Sequence, residues 1–447
     1  MVTIERFHPP TRWSRAAVAL GATALAVTMT LGSAVGPASA DTVTATVQVG
    51  EAPLGIAITP DGSRAYVTNM DDGTVSVIDT STNGVIGEPI EVGALPTGIV
   101  LSPDGSHAYV TDNGSDTVSV VETATNTVSA TIRVGGGPSG VAITPDGSRA
   151  YVTNMDDGTV SVIRTVGNTV IRTIGVGSAP VGIAITPDGS RAYVTNMANG
   201  TVSVIWTAGN TVIRTIGVGS APVGIAVAPD GAHAYLADGQ RNVVSVIDTA
   251  RNIVTDTVWV GDRSVGVAIT PDGARAYVAD PERNSVWVID TATNNFVGTI
   301  PVGGDPAGVA ITPDGGRAYI TNTDTDSVSV IRIEQAPTLA GTPPNGVVDK
   351  PYNYAFAVTG QPAPVTVRVS AGVLPTGLTL SESGVLSGTP IKRGKFGFTL
   401  TATNSIGVVN LTTALEVTDT ALPTGSFGSL GSLGSTGSFG STGSFGS

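Results

Sequence analysis

A chain of 447 residues with a formal net charge of −13 and only 22 Lys and Arg lacks the clustered cations that a phosphate backbone demands, which excludes nucleic acid as a partner. It contains no cysteine, so disulfides, thiolate metal sites and cysteine nucleophiles are excluded together. Stability must then come from a large apolar core.

Arg6, Arg12 and Arg15 give a basic start, Ala16 to Val35 carries no charge, and Ala38-Ser39-Ala40 places small residues where a signal peptidase reads them. The pattern predicts a signal peptide over residues 1–40, cleaved after Ala40, and a secreted, extracellular or cell-envelope protein. A membrane-anchoring helix is the competing reading. Against it, the small-residue site follows the apolar run directly, with no charged stop-transfer flank. Cleavage removes three Arg and one Glu and takes the formal charge to −15. No later run approaches the ~20 apolar residues of a spanning helix.

Beyond this segment the chain repeats itself. Pro-Asp-Gly recurs from Pro60, Pro103, Pro145, Pro187, Pro229, Pro271 and Pro313, a spacing of 43 residues once and 42 thereafter. Four short β-rich segments fall in each unit, the signature of propeller blades. In the third unit Ser139–Thr144 reads as a first strand, and Pro145-Asp146-Gly147 turns the chain. Arg149–Thr153, Thr159–Ile163 and Thr169–Ile174 follow as three more strands joined by Asn- and Gly-containing turns. Thr42–Val49 matches a fourth strand with no three strands before it, while Ser327–Arg332 is a third strand with no fourth behind it. The N-terminal strand is therefore expected to complete the last blade and close the ring. The fold expected is all-β: a seven-bladed β-propeller over residues 41–334.

From Gln335 the repeat stops. Strand-like runs at Tyr354–Val358, Val365–Val369, Phe396–Ala402, Val408–Leu411 and Ala414–Val417 predict a small Ig-like β-sandwich over residues 335–420. Residues 421–447 are a Gly/Ser repeat with Phe, Leu or Thr, read as a disordered tail. Leu422-Pro-Thr-Gly425 lacks the extra residue of a sortase signal.

The phrase Ala65-Tyr-Val-Thr-Asn69, returning at residues 150–154 and 192–196, resembles the YVTN-family β-propeller repeat of secreted and surface-layer proteins. That resemblance implies the propeller fold and surface, adhesion or binding roles, with no shared catalytic residue to transfer. Leu374-Pro-Thr-Gly-Leu-Thr-Leu380 through Gly388-Thr-Pro390, then Phe398–Asn404, resembles the "putative Ig" module of bacterial surface proteins. Cadherin-like relatives of that module often bind calcium. Here Asp349, Glu382, Glu416 and Asp419 are scattered, which does not fit such a site.

The candidate catalytic groups are few. Outside the leader the only histidines are His107 and His233, and both occupy the slot held by Arg64, Arg149, Arg191, Arg275 or Arg317 elsewhere. A slot that takes Arg or His reads as a solvated hairpin position rather than an acid–base site. The aspartates of Pro-Asp-Gly read as turn residues. The set that ends each second strand, Asn69, Asp112, Asn154, Asn196, Asp238, Asp280 and Asn322, leads into variable loops. Those loops share a face with the connections at Glu51-Ala-Pro53, Asp262-Arg-Ser264 and Gly304-Asp-Pro306. This set is the candidate binding face, with turn initiation as the plainer reading. Hard cations such as calcium suit such oxygen-rich loops, although Asp324-Thr-Asp326 lacks the remaining ligands of a calcium loop. Near-identical blades do not supply a site built of different residues, so an asymmetric site belongs where the repeat departs most, at Trp259, Arg263, Pro281, Glu282 and Trp287.

The expected function is that of an exported, non-catalytic, monomeric binding, adhesion or scaffold protein with a surface protein or glycan as partner. The alternative is a metal-dependent propeller hydrolase or lactonase working at the channel mouth through Asp262, Asp280 and Glu282.

Overall fold

The computed structural model describes residues 41–261, 263–361, 365–404 and 406–419. The expected signal peptide and tail lie outside them. Among the described residues no helix is long and apolar enough to cross a membrane, and the only helical segments are three single 3-10 turns, Met197–Asn199, Pro281–Arg283 and Thr323–Thr325.

Seven antiparallel sheets succeed one another. In blade 3 the strands Pro138–Ile143, Arg149–Asn154, Thr159–Arg164 and Thr169–Gly175 pair in chain order. The two middle strands are apolar on both faces because a neighbouring blade covers each face: Ala150, Tyr151, Val152, Val160 and Val162 have no exposed surface. The outer strand instead shows mostly exposed residues, with Ile174 turned inward. Blade 1 departs in its outer strand, which breaks into Gly84–Val85 and Ile90–Glu91 around Pro89, where the repeat is one residue longer.

The ring closes as expected. Thr42–Gln48 pairs with Ser327–Arg332, Thr42 opposite Arg332 and Gln48 opposite Ser327, as the fourth strand of the seventh sheet. Val47, Ala65, Val67, Ile78, Tyr319, Val328 and Val330 form one apolar cluster across the junction of blades 7 and 1. No open sheet edge remains there.

Three repeated contacts bind blade to blade. The inner strands pass so close that a Cβ on Gly55 would lie 2.2 Å from the Thr97 carbonyl, and the equivalent glycine of every blade meets its neighbour at 2.0–2.4 Å, ending with Gly308 against Leu54. Each turn glycine lies over the proline of the preceding turn, from Gly105 on Pro60 round to Gly62 on Pro313. The third contact is a clasp from the second strand. Tyr66 Oη donates to Asn126 Oδ1 (2.9 Å) and Arg64 Nη1 to the Thr123 carbonyl (3.0 Å), both in the outer hairpin of the next blade. Tyr151 reaches Asn210, Tyr193 reaches Asn252, Tyr235 reaches Asn294 and Tyr319 reaches Asn83 in the same way.

The C-terminal module has a four-stranded sheet, Gly346–Val347, Val408–Thr418, Gly394–Thr403 and Thr366–Gly372 in that order, and a three-stranded sheet of Tyr352–Ala355, Val385–Gly388 and Leu378–Leu380. Leu339, Phe356, Leu386, Phe398, Leu400 and Leu415 are among the buried side chains of its core. Gln335 joins the two parts: its Nε2 donates to the Gly315 carbonyl of blade 7, and its own carbonyl accepts from Asn404.

Candidate functional site

The seven residues that end the second strands are all buried, none more than 1% exposed. Their side chains turn into their own blades. Asn196 Nδ2 donates to Thr201 Oγ1 and Ser203 Oγ, both at 3.0 Å, and its Oδ1 accepts from the Gly177 amide. Asn69, Asn154 and Asn322 donate to the matching Thr or Ser pairs. Asp112 accepts from Thr117 and Ser119, and burial pushes its carboxyl pKa up against those hydrogen bonds. Asp238 accepts from the backbone of Ser220, Gln240 and Arg241. Asp280 accepts from Trp287 Nε1 at 2.9 Å and from the Arg283 amide. The seven side chains of the expected contact ring are thus buried against their own blades and fasten the loops there, with the amide oxygens of Asn69 and Asn154 left without a hydrogen-bond partner.

The turn aspartates behave as turn residues. Asp61 Oδ1 accepts from the hydroxyl of Thr59 (2.6 Å) and from the amide and hydroxyl of Ser63, which lowers its pKa to about 2. Asp104 does the same with Ser102 and Ser106, also at about 2. Ser106 Oγ stands 2.7 Å from His107 Nδ1, yet Asp104 bonds the serine and not the imidazole. A nucleophilic triad needs the carboxylate to orient the base, so this trio is a turn. Among the described residues no group of three or more His, Cys, Asp or Glu side chains is placed to hold a metal ion. Asp262 lies outside the described residues.

The departure of blades 5 to 7 builds something that the regular blades lack. Trp259, Trp287 and Phe296 stand at positions taken by Gly175, Ser161 and Val170 in blade 3. Trp259 and Trp287 meet edge to face at 5.2 Å between ring centroids, and Phe296 lies 4.7 Å from Trp287. Trp287 is buried as the pivot, whereas Trp259 and Phe296 are 55% and 47% exposed. The Arg283 guanidinium lies 6.0 Å from the Trp259 ring and 5.8 Å from that of Trp287, within cation–π range. It is fixed there by the 3-10 turn that Asp280 caps. On the adjoining loops Arg263 meets Glu282 at 4.0 Å. Asp305 is held in a left-handed turn (φ 52°), its amide donating to Asn284 Oδ1. Burial, then the nearby Asp324 carboxylate, pushes the Asp305 carboxyl pKa up; Arg263 opposes this and Glu282 adds to it.

The inner wall changes at the same place. Thr68, Thr111, Thr153, Thr195 and Thr321 each send a hydroxyl to the next blade's inner-strand carbonyl. Blades 5 and 6 carry Ala237 and Ala279 instead, and the inner strand of blade 6 shortens to Val267–Ile269. The residues flagged by sequence, Trp259, Arg263, Glu282 and Trp287, do come together. Phe296, Arg283 and Asp305 complete the patch; Phe296 was visible as an aromatic in a valine slot.

Among known proteins, residues 33–204 and 174–351 each match the profile described as "Lactonase, 7-bladed beta-propeller", and residues 336–425 match "Putative Ig domain". A solved structure, hydrazine synthase of Kuenenia stuttgartiensis, aligns with a TM-score of 0.60 at 25% identity, covering 63% of this chain and 95% of that one. No curated protein matches the chain. The profile match runs through all seven blades, and the chain belongs to the seven-bladed β-propeller lactonase family, extended by an Ig-like domain.

Proposed function

We propose that this is an exported, non-catalytic binding protein that presents the patch on blades 5 to 7 to a glycan or protein partner at the bacterial cell surface or envelope. The observation that carries the reading is the half-exposed Trp259–Trp287–Phe296 cluster under Arg283. An apolar ring face takes the C–H face of a sugar or a partner's side chain, while Arg283, Arg263 and Glu282 can fix hydroxyl or charged groups at its rim. Tryptophan and arginine at a cleft also dominate protein contacts.

The test is capture of the chain from Asp41 by cell-envelope fractions, with and without chelator, beside Trp259→Ala and Phe296→Ala. Capture should fall at least about tenfold in both variants, as loss of one such contact implies. Full capture by both variants would move binding to the Ig-like domain. Chelator should leave capture unchanged.

Family membership favours one second reading, hydrolysis of a lactone. Asp305, with its raised carboxyl pKa beside Arg263, is then the candidate acid–base group. Turnover of a lactone panel that disappears in Asp305→Asn would replace the binding reading.

A further inference from the structure

The closure of the ring contains a buried acceptor that the repeat does not account for. In six blades the tyrosine clasp ends on an asparagine of an outer hairpin, as Tyr66 does on Asn126. Blade 7 has no such hairpin, because its third and fourth strands come from opposite ends of the propeller chain. Asp41 stands in for it. Its fully buried carboxylate accepts from Tyr277 Oη (2.6 Å), from Arg275 Nη1 (3.1 and 3.2 Å) and from the Glu334 amide (2.8 Å). The Glu334 side chain beside it is 9% exposed. Its Oε1 faces Arg332 Nη2 at 3.4 Å, but its Oε2 is buried with no hydrogen-bond donor among the described residues. A buried carboxylate oxygen without a donor is a rare and costly state. Thr42 is paired with Arg332, and the Glu334 amide donates to the Asp41 carboxylate, so the two residues are neighbours at the end of the strand pair.

We propose that the missing donor is the α-ammonium of Asp41, released when a signal peptidase cuts the Ala40–Asp41 bond, so that processing completes the closure of the ring. The inference rests on the export reading given under Proposed function. Water adds across the peptide bond, Ala40 leaves as a carboxylate, and the Asp41 nitrogen takes up protons to become an ammonium. One neutral amide N–H is thereby replaced by three donors and a positive charge. The charged groups that meet the two carboxylates beside it include the guanidinium of Arg275 on Asp41 and that of Arg332 on Glu334, and the Tyr277 phenol donates to Asp41. Glu334 is the one whose second oxygen is unengaged. The leader thus withholds the last contact of the strand that it precedes, and export supplies it.

The experiment compares the chain beginning at Asp41, prepared by scarless removal of a fusion, with the same chain preceded by Gly-Ser, each also as Glu334→Gln. The native start should unfold about 3 °C above the extended chain, a shift of ordinary size for one good contact. That gap should collapse in the Glu334→Gln pair. Titration of the isotopically methylated terminal amine, which needs no substitution, should give a pKa above the ordinary ~7.7–8.0. An equal gap in both backgrounds, or an amine that titrates in the ordinary range, overturns the pairing. N-terminal sequencing of the exported protein is a separate arm: a start at Asp41 supports the link to processing, and any other start overturns that link. Envelope capture enters none of these readouts, so a failure here is distinct from a failure of the binding reading.

Discussion

Asn196 shows how one side chain decides between a surface role and a fold role. Its position after the second strand, ahead of a variable loop, reads as a contact point. Its amide is instead fully buried against Thr201, Ser203 and the Gly177 amide. Asn196→Ala should destabilise the chain by about 1–3 kcal/mol, since buried hydroxyls and an amide lose their partner. Envelope capture by the folded variant should stay unchanged. Denaturant titration beside a capture assay checks both; capture lost without loss of stability would restore the contact role. The sequence could not separate the two because the partners lie in the third strand, and Thr-x-Ser there looks like ordinary strand polarity. The same Thr-x-Ser hydroxyl pair serves either residue, since Asp112 accepts from Thr117 and Ser119 where Asn196 donates to Thr201 and Ser203. Asp280 receives a tryptophan N–H where Asn196 gives to two hydroxyls.

At the scale of the strand, the clasp is what the repeat phrase Ala-Tyr-Val encodes. Tyr151 donates to a neutral amide oxygen, whereas Tyr277 donates to a buried carboxylate that has replaced the hairpin. Burial, reinforced by the Asp41 carboxylate, pushes the Tyr277 phenol pKa well up, so it stays a donor at any working pH. Tyr151→Phe should cost about 1 kcal/mol, the usual net value of a neutral hydrogen bond. Tyr277→Phe should cost about 2–3 kcal/mol, because a buried charge loses a donor. The comparison by urea denaturation fails if the two variants are equal. Ring closure itself was legible, since a lone fourth strand at one end and a missing one at the other can be counted along the chain. The clasp was not, because Tyr277 and Asp41 are 236 residues apart. Nor does composition mark Asp41, which sits next to the predicted cleavage point like any polar first residue. The aromatic patch was half legible: tryptophans in serine or glycine slots stand out, but Arg283 and Asp305 are drawn in by a 3-10 turn and a left-handed loop.

Across the molecule, two classes of aspartate pull stability in opposite directions with pH. The turn aspartates Asp61, Asp104, Asp146, Asp188 and Asp314 have lowered pKa values, in each case through hydroxyl and amide donors in the turn. For Asp314 burial works the other way, and the donors Thr312 and Gly316 outweigh it. Their stabilisation is present above the ordinary carboxylate pKa of ~3.9 and is lost as pH falls toward about 2. Asp112 and Asp305 have raised values, with burial as the leading cause. Their ionised forms weaken the native state, and that penalty is relieved as pH falls through the raised pKa. The formal net charge of −13 adds self-repulsion that also weakens on acidification. The thermal midpoint should therefore rise as pH falls through the raised values of Asp112 and Asp305, then drop as the turn aspartates take up protons toward about 2. Asp305→Asn should unfold higher than the parent at pH 7, and the advantage should vanish as acidification carries the Asp305 carboxyl through its raised pKa and neutralises it. A constant advantage at every pH would mean that packing, not charge, makes the difference. Asp305 sits within the blade 5–7 patch and is half enclosed by acidic neighbours. Asp112 carries a like penalty inside its own blade, where Thr117 and Ser119 donate to it, whereas Asp305 faces Asp324, Glu282 and Arg263 from loops where the repeat departs.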